Sequence, residues 1–298
     1  MPEKTTTVIL TPPVASTVLT PHHGEEAEKT AIQKLSRGVT LSGVPSFTSV
    51  ELKRRWMLEH LTGAFRVFAR KGFVEGLTGH ISLRDPEHKN CFWTNPYGVH
   101  FGLIKVSDLI LLDEQGTPVG GATHLLAGTA GFQIHSHLHR RYPHINAACH
   151  THSAHGLAYS AFSKRLDMIN LDVLSFFGKA HGVYDAFGGV TLTEEESDRL
   201  AEALGPRGKG LILRNHGLLT VGQTVDEAAY LFGLLEKSYR IQLMVDAAGG
   251  GSGKKPFVVD DEAARLTFDT MSDKEALYCA FQPEYEMEKA LSNGAFLD

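Results

Sequence analysis

The chain is expected to fold as an α/β domain. Three features of the sequence predict it. Residues 46–71 place Leu52, Trp56, Leu58, Leu61, Phe65 and Phe68 on an approximately helical apolar face. Short β-prone runs separated by turn residues follow between 79 and 119. From 145 to 248, strand-like apolar runs alternate with helical segments. With 298 residues, the chain can form one large domain or two small ones with ample core.

Residues 1–45 are rich in Thr, Pro, Ser and Gly and read as a flexible arm, with 5–10 a weak strand candidate. Ser46 or Ser49 caps the first helix and Gly72 ends it. The stretch Gly76-Leu77-Thr78-Gly79-His80-Ile81-Ser82-Leu83-Arg84 is a glycine turn into an alternating strand. The backbone N–H groups of such a turn can face an anion. Strands at 91–94 and 108–113 are separated by the turn Asn95-Pro96-Tyr97-Gly98, and a second turn at 113–116 closes a hairpin. Thr129 is expected to cap a helix that Pro143 ends. The expected order continues with a strand leading into 150–152, a helix over 153–162, a strand over 173–178 and a helix over 194–204. Thr193 and Glu196 form a capping box for that last helix. Strands 210–213 and 218–221 flank a turn, and a helix runs over 225–248. A glycine-rich linker and an acidic, partly helical tail are expected over 249–298, with the tail on a partner subunit as one option.

The densest chemical signal is histidine. Seven of the 16 histidines fall between His135 and His155. Cys149-His150-Thr151-His152-Ser153 follows the run Ile145-Asn146-Ala147-Ala148. On a strand, i and i+2 share a face, so His150 and His152 can present two imidazoles together. Asn215-His216-Gly217 offers a third from a distant turn. Three neutral nitrogens leave a coordination position open for substrate, as a catalytic metal requires. His135 and His139, at i and i+4, are either a second metal pair or residues that line the pocket or bond locally. His155 either holds a substrate oxygen, supports a ligand, or merely caps the following helix.

A net charge of −5 argues against a nucleic-acid binder of the basic kind. The three cysteines, Cys91, Cys149 and Cys279, form no C-x-x-C pair, which excludes a disulfide framework and a cysteine zinc module. No run of about 18 apolar residues predicts a membrane span, and the first residues lack the pattern of a signal peptide. A cytoplasmic location is the expectation.

Four segments together resemble the class II aldolase/adducin family across about 50–248, with a texture closest to its fungal, adducin-like members. They are Gly76-Leu77-Thr78-Gly79-His80-Ile81-Ser82, Thr94-Asn95-Pro96-Tyr97-Gly98, Cys149-His150-Thr151-His152-Ser153 and Asn215-His216-Gly217. The resemblance implies a three-layer fold with a largely antiparallel central sheet covered by helices. It implies a homo-oligomer, commonly a tetramer, and a divalent metal, usually zinc, on His150, His152 and His216. It places Thr78, Gly79, Asn95 and Gly98 on the substrate.

The chain also departs from the family's sugar-phosphate aldolases. Their acidic residue lies 19 positions before the first strand histidine, where this chain has Gly131. Their phosphate-binding serines correspond to Thr129 and Ala130, and the asparagine of their glycine loop to His80. A metal-dependent aldolase-type lyase acting through an enolate on a small, non-phosphorylated carbonyl compound, such as the 2-oxo acid pyruvate, is therefore the expected function. His80, His135 or a metal-bound hydroxide would supply the base. The alternatives are an adducin-like binding or structural protein, a decarboxylase or epimerase using the same chemistry, and a non-haem iron oxygenase, since imidazole suits iron as well as zinc.

Overall fold

The computed structural model describes residues 30–35, 41–189 and 193–298. The strand candidate at 5–10 and most of the expected arm lie outside the described residues. Within that arm a short helix α1 (Ala31–Leu35) is present, and its Ile32 is buried against Tyr278 and Cys279.

Eight strands form one mixed sheet in the order β4-β3-β2-β1-β5-β8-β7-β6. They are β1 (His80–Arg84), β2 (Cys91–Thr94), β3 (Ile110–Asp113), β4 (Pro118–Gly121), β5 (Ala147–Thr151), β6 (His181–Tyr184), β7 (Gly210–Leu213) and β8 (Gly217–Gly222). Every neighbouring pair is antiparallel except β6 and β7. The largely antiparallel α/β architecture is therefore as expected.

Side-chain alternation explains why helices cover both faces. Ile81, Leu83, Ala147, Cys149, Ile212 and Leu218 point to one face. There they meet α2 (Val50–Arg70), through Leu61, Phe65 and Phe68, and α6 (Val225–Ser252), through Leu231, Phe232 and Leu235. Ala148, Leu211, Leu213, Leu219 and Val221 point to the other face. That face is covered by α3 (Thr129–Arg141), through Ile134 and Leu138, and by α5 (Glu194–Leu204), through Leu200 and Leu204.

Local signals account for several boundaries. Ser49, not Ser46, caps α2 by accepting from the Leu52 backbone N–H, and Leu52 itself is exposed. Thr193 caps α5 by accepting from Glu196 N–H, and Thr224 caps α6 through Glu227 N–H. The N-cap position of α3 is Gly128 rather than Thr129. The helix expected over 153–162 is α4 (Ala154–Ser160).

Three expectations are corrected. Residues 173–178 do not form a strand: Asp172–Phe176 is a 3-10 turn. The strand in that region is β6, and its parallel pairing with β7 is set by the α5 crossover between them. The glycines at 249–251 are not a linker, because α6 continues to Ser252 and stops at Gly253, whose φ of 67° is left-handed. The tail forms α7 (Asp261–Met271) and α8 (Lys274–Ser292), and α8 packs on α2 and α6 of its own chain. Leu277, Phe281, Tyr285 and Phe296 complete the same core as Phe65 and Phe232.

Candidate metal centre

Strand β5 lies at the middle of the sheet, between β1 and β8. Register places His150 opposite His80 on one side and Leu219 on the other. His152 stands just past the end of β5. His216 arrives from the β7–β8 turn, where Asn215 (φ 54°) and Gly217 (φ 132°) take left-handed backbone. Gly217 is needed there, because a Cβ would stand 3.2 Å from the Thr151 carbonyl oxygen. This tight turn folds His216 back over the end of β5.

The three rings face one another. Centroids lie 5.3 Å apart for His150–His152, 4.9 Å for His150–His216 and 5.2 Å for His152–His216. One ring nitrogen from each lies within 4.8 Å of the others. His150 Nδ1 is 2.9 Å from the Leu218 carbonyl. A carbonyl only accepts, so Nδ1 carries the proton and Nε2 keeps its lone pair. Burial holds all three imidazoles neutral. It acts with His216, His80 and His152 to press His150 well below the usual histidine range. Burial and then His152 bring His216 to about 4, and burial lowers His152. Three neutral imidazoles with one ring nitrogen each in a shared space are the donor set that a divalent transition ion takes.

The histidines open into a cavity of ≈ 610 Å³. Thr78, Gly79, His80 and Asn95 line it. Gly98 does not; its neighbour Tyr97 does. Leu77, Leu126, Leu157 and Phe187, all exposed, join Tyr97 in an apolar wall. Among the described residues no Lys, Arg, Asp or Glu lines the cavity.

His80 sits beside this cluster, its ring 5.2 Å from His150. Burial, reinforced by His216 and His152, brings it to about 3. Its Nε2 faces Gly131, where any Cβ would overlap the imidazole. Gly131 thus clears the space that the His80 ring fills. His135 is fully buried behind His80 and does not reach the cavity, and its Nε2 lies 3.1 Å from His80 Nδ1. His135 and His139 are not a second metal pair: both rings bond Ser82 Oγ at 2.8 Å. His155 is turned away from the cavity and donates to Glu236 from its backbone N–H, with its ring Nδ1 2.8 Å from the same carboxylate. Glu236 also accepts from Ser153 Oγ and Gly156 N–H, and so serves the start of α4.

Sequence reasoning missed Glu236, because it reaches α4 from α6 across more than 80 residues. It also missed Ser82, although the i, i+2 relation to His80 on a strand was visible.

The central antiparallel sheet, flanked by helices and carrying three histidines at one strand end and one turn, defines a fold class with known members. The profile of the Class II Aldolase and Adducin N-terminal domain matches residues 59–243, and the chain belongs to the class II aldolase/adducin family. It is 41% identical over 254 residues to the Meiotically up-regulated gene 14 protein of Schizosaccharomyces pombe, spanning 85% of this chain and 97% of that one. It is 37% identical over 245 residues to Decarboxylase NovR of Streptomyces niveus, spanning 81% and 87%. Among solved structures, L-fuculose 1-phosphate aldolase from Glaciozyma antarctica PI12 superposes with a TM-score of 0.76 at 38% identity, covering 85% of this chain and 96% of that one. Class II aldolases are divalent-metal-dependent, and the His150, His152 and His216 cluster is the candidate site for such an ion here.

Proposed function

We propose that this chain is a metal-dependent lyase of the class II aldolase type, acting on a non-phosphorylated 2-oxo acid through an enolate. The observation that carries this reading is the cavity itself: three converging neutral imidazoles in a wall without a cationic side chain. Lys or Arg commonly holds a phosphate, and neither is present among the described lining residues. His150, His152 and His216 would hold the ion, zinc by its preference for this donor set, and it would supply Lewis-acid stabilisation of charge developing on the substrate.

The remaining roles belong to the chain. His80 Nε2, beside the ligands, accepts the proton that the missing acidic residue takes in the sugar-phosphate aldolases. Asn95 and the Thr78-Gly79 turn orient substrate oxygens. Tyr97, Leu126 and Phe187 accommodate an apolar substituent and keep water from the reacting centre. The same exposed apolar rim suits burial against a second copy, and we read the chain as a subunit of a homotetramer located in the cytoplasm. Among the described residues no helix is long and apolar enough to cross a membrane.

A second reading is favoured by the 37% identity to a protein named as a decarboxylase. The same proton-handling and chelating residues would serve loss of CO₂ from a 2-oxo acid, and iron in place of zinc would open oxygen chemistry.

The test is elemental mass spectrometry of the purified protein beside His152→Ala, followed by turnover of a panel of 2-oxo acids and sugar phosphates. About one zinc, cobalt or manganese per subunit, lost in the variant, with turnover of 2-oxo acids, is the expected result. Iron would favour the oxygenase. Turnover confined to sugar phosphates would overturn the substrate class, and no metal under reconstitution would leave an adducin-like binding protein.

A further inference from the structure

Behind the cavity, a line of hydrogen bonds runs inward from His80 and ends at a backbone carbonyl. His80 Nδ1 lies 3.1 Å from His135 Nε2. His135 Nδ1 lies 2.8 Å from Ser82 Oγ, and Ser82 Oγ lies 2.8 Å from His139 Nε2. His139 Nδ1 lies 3.0 Å from the Ile145 carbonyl oxygen. Strand alternation puts His80 and Ser82 on the α3 face of β1, and the helical i, i+4 spacing stacks His135 and His139 above them. Ser82, His135 and His139 are all 2% exposed or less, so water has no access to replace any link.

The direction of every bond follows from the inner end. Ile145 O has no proton to give, so His139 Nδ1 carries the hydrogen. A neutral His139 then has a bare Nε2, which accepts from the Ser82 hydroxyl. The Ser82 oxygen in turn accepts from His135 Nδ1–H. That leaves His135 Nε2 bare, and it accepts from His80 Nδ1–H. The remaining His80 nitrogen, Nε2, is left with a lone pair towards Gly131 and the cavity. Arg84 closes the inner end: its guanidinium donates to the carbonyls of His139 and Ile145, so a cation stands where an extra proton would otherwise settle.

We propose that Ser82, His135 and His139 are positioning residues that lock His80 in its Nδ1–H tautomer, so that Nε2 is presented to the substrate as a proton acceptor. The line is a lock and not a conduit. A wire must pass its proton on at the far end, and a carbonyl flanked by an arginine takes none. In the opposite tautomer His80 would present an N–H and have nothing to accept a proton with. This rests on His80 as the proton acceptor in the proposed reaction, but its readout needs no turnover.

The experiment is ¹⁵N NMR of histidine-labelled full-length protein, metal-free and metal-loaded, with the His80 signals assigned by their loss in His80→Gln. In the wild type, His80 is expected to show a protonated, pyrrole-type Nδ1 and a bare, pyridine-type Nε2. Ser82→Ala cuts the line at its middle, and the His80 Nδ1–H signature should be lost or averaged between tautomers while His150, His152 and His216 still bind zinc stoichiometrically. A wild-type His80 protonated at Nε2 overturns the proposal, as does an unchanged His80 signature in folded Ser82→Ala. If Ser82→Ala fails to fold, the wild-type spectrum decides alone. A locked His80 in a protein that turns over no 2-oxo acid would sink the lyase reading and leave the lock standing.

Discussion

At the scale of single residues, the proposed function gives an imidazole the proton-accepting role that the resemblance assigns to a carboxylate in the sugar-phosphate aldolases. His80 and Gly131 act as a pair: the ring takes the room that the glycine leaves. Gly131→Ala is expected to push His80 off its position and lower turnover by about 10²-fold or more, the usual contribution of a placed proton acceptor, with metal content unchanged by elemental analysis. Gly131→Glu should be worse in stability, and adding His80→Asn to it should recover the loss, read as melting temperature at fixed protein concentration. A double variant no more stable than Gly131→Glu would mean that the two sites do not share space. His216→Ala should abolish stoichiometric zinc binding while circular dichroism stays native. The clustering of His150, His152 and His216 was legible because a strand repeat and a turn carry them. The choice among the readings of His155 could not be made from the sequence, because its partner, Glu236, is remote and nothing local marks which way an imidazole turns.

Among the elements, α8 shows where sequence patterning misleads. Its acidic surface reads as a tail, yet Leu277, Phe281 and Tyr285 recur at helical spacing and close the core over α2 and α6. Gly63 lets α8 approach α2, since a Cβ there would overlap the Tyr285 ring. Phe281→Ala is expected to cost about 3–5 kcal/mol, measured by denaturant unfolding at constant protein concentration. An effect below about 1 kcal/mol would place α8 outside the cooperative core. The long helices and the strands around the histidines were read correctly because their apolar periods span several turns or pairs. β6 was not, because four residues, two of them His181 and Gly182, carry too little alternation to register. Its position depends on pairing with β7, a contact between distant segments.

For the molecule as a whole, buried histidines govern the response to acid. His139 and His181 are each held at about 3, mainly by burial, against 6.5 for a free imidazole. Between those values the unfolded chain binds protons that the folded chain refuses. Stability is therefore complete above about pH 6.5 and falls as pH drops towards 3. His181, which bonds Tyr239 and does not line the cavity, isolates the effect. His181→Phe should reduce the steepness of stability against pH by up to about 1.4 kcal/mol per pH unit, the amount linked to one proton. Equal slopes in the two proteins would show that His181 takes up its proton while folded. The uncharged cavity wall has a last consequence, for how substrate arrives. With a net charge of −5 and no Lys or Arg at the described mouth, the protein's own side chains offer the proposed anionic 2-oxo acid no attraction, and a divalent ion on His150, His152 and His216 would be the local positive charge. Binding of a 2-oxo acid to the metal-free protein should therefore not weaken as ionic strength rises, measured by titration calorimetry, whereas a steep weakening would reveal a cationic group at the mouth.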